Sequence, residues 1–195
     1  MLLESIKELL KLKARIRKVD LIVEMDPAIS REFYTDPTRL KQILLNLSGN
    51  ALKFTFSGYI KITGELVPHP KGGRKLVKFT IEDTGMGIEK ANIGKLFKLF
   101  AKLDSTKSEN KSGAGLGLMI SSNLVRRLNF EGGGGIDVIS EKGKGSKFFF
   151  TIENKQVANP QAIQIIKVSN KVNNFRMFDS IRNRKDKNKD KRQLK

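Results

Sequence analysis

Two asparagines and one lysine fall on the same side of a predicted helix. Residues 36–54 read DPTRLKQILLNLSGNALKF, and an aspartate followed by a proline is typical of a helix start. At about 100° per residue, Asn46, Asn50 and Lys53 form a stripe beside the apolar face. Amide oxygens can coordinate a hard cation, and an ammonium group can neutralise phosphate. An ordinary amphipathic helix with a polar rim has the same pattern, so this segment alone leaves both interpretations open.

Asp83 stands at the end of a predicted buried strand and begins the segment DTGMGI at residues 83–88. A carboxylate there can accept a hydrogen bond from an exocyclic amine such as that of adenine. An aspartate that only starts a turn gives the same pattern, and Asp83 alone favours that simpler interpretation.

A second glycine stretch, GAGLGL at residues 113–118, opens another predicted helix. Glycines let the backbone approach an anion closely, and the free amides and dipole of a helix start attract phosphate. The stretch is not the dinucleotide-binding fingerprint, because no predicted strand leads directly into it. The run GKGS at residues 143–146 is not a Walker A sequence, because Val138 occupies the place of its first glycine.

Helices and strands are mixed along the chain, with hairpins between some strands. This order predicts an α+β fold of two layers. The predicted helices cover residues 2–16, 36 to about 57 and 89–100, with another opening at the second glycine stretch; the predicted strands cover residues 19–24, 59–67, 77–82, 136–140 and 147–152. In the second helix the predicted core face is Leu40, Ile43, Leu44, Leu47, Ala51 and Phe54.

The composition excludes several kinds of site. The chain has 195 residues and no cysteine, which excludes disulfides and thiolate-bound metals. No apolar run reaches the length of a transmembrane span and no secretory signal opens the chain, so we expect a soluble, cytoplasmic protein or fragment. The single histidine, His69, lies between two prolines in a predicted hairpin loop, which indicates a surface residue and not a catalytic group.

Half of the net charge of +18 falls on residues 155–195, which hold 12 Lys or Arg and 3 Asp or Glu. Residues 182–195 have almost nothing to bury and are predicted to be disordered. Such a tail can contact nucleic acid or acidic membranes, or direct nuclear import. We favour the alternative, a solvated tail without a partner.

Three features occur in one order: the asparagine-bearing helix, then D-x-G-x-G, then G-x-G-x-G. In this order the sequence resembles the ATP-binding catalytic domain of histidine protein kinases, within the superfamily shared with gyrase, Hsp90 and MutL. NLSGNALKFT at residues 46–55 resembles the asparagine box, DTGMGI the first glycine box, LFKLF at residues 96–100 the phenylalanine box, GAGLGL the second glycine box and KGKGSKFFF at residues 142–150 the terminal hairpin. The resemblance implies a Bergerat-type two-layer α/β sandwich with a mixed, mostly antiparallel sheet packed on helices.

The resemblance also implies roles for individual residues around ATP and Mg²⁺. Asn50 would coordinate Mg²⁺, Asn46 would support the phosphate and metal site, Lys53 would contact phosphate, and Lys102 would lie near the terminal phosphate. Phe54 would line the nucleotide pocket, and Asp83 would bind the adenine amino group. Gly85 and Gly87 would shape the pocket floor beside Ile88. The second glycine stretch would hinge a lid and offer amides to phosphate through Gly113, Gly115 and Gly117, with Leu116.

Asn46 favours one branch of this superfamily. The ATP-hydrolysing branches usually carry a glutamate there, and an amide cannot act as a general base. The expected reaction is therefore phosphoryl transfer to a protein histidine, in which the domain positions ATP and stabilises charge.

The resemblance implies an acceptor histidine on an upstream dimerisation helix, and His69 is not in such a segment. We therefore expect residues 1–18 to be the helix and linker that follow a dimerisation domain, residues 19–154 the ATP-binding domain, and residues 155–195 a basic tail. A histidine-bearing dimerisation domain and a downstream receiver domain would be partners, with a homodimer only in the full-length protein. The alternatives are a nucleotide-binding regulatory module without catalysis and a nucleic-acid binder driven by the tail.

Overall fold

A computed structural model of the chain describes residues 2–27, 29, 32–70, 72, 75–97, 116–129, 134–153 and 165–167. It contains four helices and seven strands within these residues. In chain order they are α1 (Leu2–Arg17), β1 (Val19–Met25), β2 (Glu32–Tyr34), α2 (Pro37–Phe54), β3 (Gly58–Pro68), β4 (Lys75–Asp83), α3 (Lys90–Ile93), α4 (Gly117–Leu128), β5 (Asp137–Glu141), β6 (Gly145–Glu153) and β7 (Ile165–Lys167).

Five strands form one sheet in the order β1-β3-β4-β6-β5. β1 runs parallel to β3, whereas β3–β4, β4–β6 and β5–β6 are antiparallel. The prediction of a mixed, mostly antiparallel sheet packed on helices is confirmed. Buried side chains from α1, α2 and α4 and from the inner face of the sheet form one apolar core, which includes Ile6, Leu44, Ile81, Val125 and Phe150.

The opposite face of the sheet is polar. Lys61 on β3 lies 2.8 Å from Glu24 on β1, and Glu82 on β4 is paired with Lys147 on β6 at 2.7 Å. The Tyr59 hydroxyl donates to the same Glu82 carboxylate at 2.8 Å. The helices therefore cover only one face, as in a two-layer α+β fold.

α2 begins as its sequence predicts, and it ends at Phe54, a few residues before the predicted end. The Asp36 carboxylate accepts hydrogen bonds from the amides of Thr38 (2.9 Å) and Arg39 (3.0 Å), which caps the start of the helix. The apolar face is buried, with Phe54 at its edge half-buried. Gly49 costs the helix about 1 kcal/mol relative to alanine, and packing does not demand it, because a Cβ there would meet no atom within 4 Å.

Asn129, just after α4, completes the edge of the sheet. β5 reaches only as far as Phe149 on β6, so no strand of the described residues pairs with the end of β6 on that side. The Asn129 side chain donates to the Thr151 carbonyl (3.1 Å) and accepts from the Glu153 amide (3.0 Å). One side chain therefore replaces two strand hydrogen bonds.

The structure differs from the sequence-based prediction in two places. A helix is predicted over residues 89–100, of which the structure describes residues 89–97. Within these residues only α3 is helical, and the amides of Asn92, Lys95 and Leu96 bond to carbonyls three residues back, which is the pattern of tight turns. β2 and β7 were not predicted; they form an antiparallel pair in which Tyr34 faces Ile165, so a short strand lies within residues 155–195. Residues 182–195 lie outside the described residues.

Within the described part of the chain, no helix is both long and apolar enough to cross a membrane.

Candidate functional site

The loop after β4 is built against the C-terminal end of α2. The Met86 amide donates to the Phe54 carbonyl at 3.2 Å. A Cβ on Gly85 would lie 2.5 Å from that carbonyl oxygen and 2.8 Å from Asp83 Oδ1, which is closer than any side chain allows. Glycine at residue 85 is therefore required for the loop to reach the helix.

The same loop is held from the other side by the turn between β5 and β6. The Gly143 amide donates to the Met86 carbonyl (2.7 Å), and the Ile88 amide donates to Ser140 Oγ (2.8 Å). Gly87 has a φ of 64°, and a Cβ there would overlap the carbonyl of Glu141. The two glycines of D-x-G-x-G are therefore needed for two different contacts, one with α2 and one with the β5–β6 turn.

Asp83 is a buried carboxylate, only 6% exposed. Its Oδ1 accepts a hydrogen bond from the Gly85 amide at 2.9 Å. Burial raises the pKa of the Asp83 carboxyl, while hydrogen bonds from the backbone of Gly85 and Ser146 act in the opposite direction. Since a buried charge is unfavourable unless it is compensated, a ligand that donates a hydrogen bond here would offset part of that cost.

The other end of the site lies where α4 meets α2. Asn46 Nδ2 donates to Ser121 Oγ on α4 at 2.9 Å. A Cβ on Gly117 would overlap the Asn46 carboxamide, so glycine is needed for the start of α4 to reach α2. No side chain of a described residue caps the first turn of α4, which leaves its backbone amides available to a ligand.

α2 joins these two ends. Asn46 and Phe54 are eight residues apart, which is about 12 Å along a helix, and the half-buried Asn50 and Lys53 lie between them. The Lys53 ammonium lies 5.3 Å from the centroid of the Phe54 ring. The polar stripe predicted on this helix therefore connects the carboxylate loop to the start of α4.

The structure brings most of the predicted site residues together. Ile88 packs against the edge of the core, and Leu116 is half-buried just before α4. The structure describes Asn46, Asn50, Lys53, Phe54, Asp83, Gly85, Gly87, Ile88, Leu116 and Gly117, whereas Lys102, Gly113 and Gly115 lie outside the described residues.

Sequence reasoning missed the hydroxyl groups that hold this arrangement. Ser121 is one turn after Gly117 on the buried side of α4, and Ser140 bonds both the Ile88 amide and Ser146. The only sequence signal was a small polar residue at a position where the helical or strand period predicts an apolar one.

Among the described residues, no group of three or more His, Asp or Glu side chains could hold a metal ion. A divalent cation at this site would need oxygen ligands from elsewhere, such as the phosphates of a nucleotide. Such a cation usually keeps several waters and binds through few protein ligands together with substrate phosphates, which agrees with a site that offers single amide oxygens.

Residues 35–156 match the family model described as "Histidine kinase-, DNA gyrase B-, and HSP90-like ATPase". Among curated proteins, the chain is 40% identical over 134 residues to hybrid signal transduction histidine kinase B of Dictyostelium discoideum, an alignment that covers 69% of this chain and 7% of that protein. The chain spans less than a fifth of the length of the first curated relatives that it matches.

Solved structures show the same fold. Full-length ShkA, whose crystal structure was solved in complex with AMPPNP, matches with a TM-score of 0.60 and 31% identity, over 77% of this chain and 29% of that one. The catalytic domain of histidine kinase ThkA, solved without nucleotide, matches with a TM-score of 0.62 and 28% identity, over 78% of this chain and 92% of that one.

Replacing Asp83 by asparagine should stabilise the ligand-free protein. Because burial raises the carboxyl pKa, the folded state binds a proton more readily than the unfolded state. The native protein should therefore gain stability as the pH falls through this raised pKa towards the ordinary pKa of an aspartate in the unfolded chain. We expect Asp83→Asn to add on the order of 1 kcal/mol near neutral pH and to remove this pH dependence, measured by urea unfolding at several pH values. Asp137→Asn, at an exposed position on β5, is the control; equal effects of the two variants would contradict the prediction.

Proposed function

The chain belongs to the histidine kinase-, DNA gyrase B- and HSP90-like ATPase family, and on this premise we propose that its site binds ATP with Mg²⁺ and presents the terminal phosphate to a histidine outside this chain. It would thus act as the catalytic half of a two-component sensor kinase. The observation that carries the proposal is the pair of contacts that α2 makes at Phe54 and at Asn46. The loop of the buried Asp83 carboxylate contacts Phe54, and the start of α4, which no side chain of a described residue caps, meets Asn46.

The base of ATP would bind at the Asp83 end. An adenine amino group would donate to the Asp83 carboxylate, whose Oδ1 already accepts from Gly85. Phe54 and Ile88, both half-buried, would supply apolar surface for the ring. Gly85 and Gly87 would keep the floor free of side chains. Guanine presents a carbonyl where adenine has its amine, so this end should prefer adenine.

The phosphates would lie towards the start of α4. The amides that follow Gly117 and the Lys53 ammonium would compensate phosphate charge. Leu116 precedes these amides, and Gly113, Gly115 and Lys102 would add to the phosphate site from residues that the structure does not describe. The shared AMPPNP-bound fold of ShkA supports nucleotide binding in this general arrangement.

Asn50 would hold Mg²⁺ together with the phosphates, and Asn46 would support that site. The amide oxygen of Asn50 is a hard ligand of the kind that this cation accepts. Asn50 lies between Asn46 and Phe54, which is compatible with phosphates lying along the helix. When bound, Mg²⁺ would neutralise charge on the phosphates.

The reaction would be phosphoryl transfer and not hydrolysis. A nitrogen of the incoming imidazole would form a bond to the terminal phosphorus as the bond to the bridging oxygen breaks, and ADP would leave with that electron pair. Asn46 has no basicity with which to activate water, and its side-chain nitrogen is engaged by Ser121. The domain's contribution would be to position the nucleotide and stabilise its charge.

The histidine would come from another segment or partner. His69 follows β3 at the end of the sheet remote from Asp83, and the nine residues of β4 between these ends span roughly 25–30 Å. We propose that residues 1–18 continue from a histidine-bearing dimerisation domain, that residues 19–154 are the ATP-binding domain, and that a receiver domain is a further partner. The similarity to a hybrid signal transduction histidine kinase supports partner domains of this general type. A homodimer would form in the full-length protein, in the cytoplasm.

Asp83→Asn should weaken ATP binding while it stabilises the ligand-free protein. The loss of one charge-assisted hydrogen bond corresponds to roughly a 10- to 150-fold rise in Kd. Isothermal titration calorimetry with ATP measures it, with Asp137→Asn as the matched control. An unchanged Kd would exclude Asp83 from recognition of the base.

Asn50→Ala should weaken the part of ATP binding that depends on Mg²⁺. The affinity measured in excess EDTA should stay within about twofold of the native value, because that binding does not involve the metal ligand, whereas Mg²⁺ should no longer strengthen it as much. Asn123→Ala, at an exposed position on α4, should leave both affinities unchanged. If Mg²⁺ strengthens binding equally in the native protein and Asn50→Ala, Asn50 is not the metal ligand.

The remote position of His69 favours a second candidate function, that of a nucleotide-binding regulatory module without catalysis. A transfer assay distinguishes this module from a kinase. The chain is mixed with ATP labelled on the terminal phosphate and a purified dimerisation domain that bears its histidine. We expect acid-labile, base-stable label on the partner, and much less with Asp83→Asn at limiting ATP. Tight ATP binding without transfer to any such partner would support the regulatory module.

A further inference from the structure

Arg17, the last residue of α1, reaches across to the C-terminal end of α2. Its Nη1 donates hydrogen bonds to the carbonyls of Leu52 (2.7 Å) and Lys53 (3.0 Å). The guanidinium carbon lies 6.0 Å from the centroid of the Phe56 ring, just beyond the helix. The contact therefore ties two elements that are 35 residues apart in sequence.

These carbonyls are among the last four of α2, which have no partner within the helix. A cation at a helix C-terminus also interacts favourably with the helix dipole. Arg17 thus satisfies two of these groups and places a positive charge beside them. Removing it would free the last turn of α2 to shift.

The next carbonyl along the helix belongs to the candidate site. Phe54 O accepts the Met86 amide, and it fills the space where Gly85 would carry a Cβ. Consecutive carbonyls, those of Lys53 and Phe54, are therefore held by α1 and by the Asp83 loop respectively. A displacement of this turn at the Arg17 contact must also displace the Met86 contact, because both contacts act on the same rigid helical turn.

We propose that Arg17 is a positioning residue through which α1 sets the ATP affinity of the site. This inference rests on the proposed function, since it takes ATP as the ligand. When the end of α1 is displaced, the last turn of α2 loses its capping and the Asp83 loop loses its fixed support. By thermodynamic reciprocity, ATP binding must also strengthen the docking of α1. A change in α1 imposed from upstream would in this way alter nucleotide binding without touching a residue of the site.

The test compares Arg17→Met, which keeps an apolar stem, with Arg15→Met, which removes the same charge from an exposed position on the same helix. Calorimetry should give an ATP Kd about 5- to 10-fold higher for Arg17→Met, at the lower end of typical coupling between sites. Arg15→Met should bind like the native chain. Arg17→Lys should recover part of the affinity, because it restores the charge without the planar guanidinium.

Hydrogen exchange distinguishes this proposal from a purely structural role of Arg17. Saturating ATP should slow amide exchange in the last turn of α1 of the native chain by about 5- to 10-fold, and should not do so in Arg17→Met. A variant that melts at a lower temperature but keeps the native Kd would overturn the proposal. If Arg17→Met does not fold, exchange in the native chain decides: unchanged α1 exchange on ATP binding overturns the inference. A native chain that does not bind ATP overturns the proposed function itself.

Discussion

The carbonyl of Phe54 is the contact on which the arrangement of the site depends. It accepts the Met86 amide and leaves no room for a side chain at Gly85, so the loop after β4 packs its backbone directly against α2. The β5–β6 turn closes on the far side of that loop. A loop that would otherwise be mobile is therefore fixed by backbone groups on both sides, and the Asp83 carboxylate is held in a single direction before any ligand arrives.

This fixed geometry has an energetic cost that the rest of the fold offsets. A buried carboxylate with a raised pKa and a glycine inside α2, Gly49, both oppose folding. One continuous apolar core under the sheet, together with caps at both ends of α2, compensates for them. Both of these features lie beside or within the candidate site, which is where a protein is expected to depart from its most stable sequence.

The sequence predicted the parts of the fold that depend on local chemistry. α2 followed from its capping pair and its apolar period, and the long strands followed from their alternation. The short length of α3 and the presence of β2 and β7 could not be predicted in this way. Three or four residues carry no measurable period, and the pairing of β2 with β7 is decided by distant segments. The approach of Gly117 to Asn46 and the reach of Arg17 to α2 are also contacts between distant residues. Spacing within one segment cannot reveal them. The glycines at 113–117 predicted a close approach to an anion, whereas the close neighbour of Gly117 in the structure is Asn46.

The pairing of Asp83 with Ser146 on neighbouring strands makes both ends of the intervening chain adjacent. Between them the chain leaves the end of β4, forms α3 and α4, adds β5 at the edge of the sheet and returns beside its point of departure. The entropy of closing such a loop rises only slowly with its length, by about 0.6 kcal/mol for each doubling. A change in chain length between Asp83 and Ser146 therefore costs little closure entropy as long as the two ends keep their register.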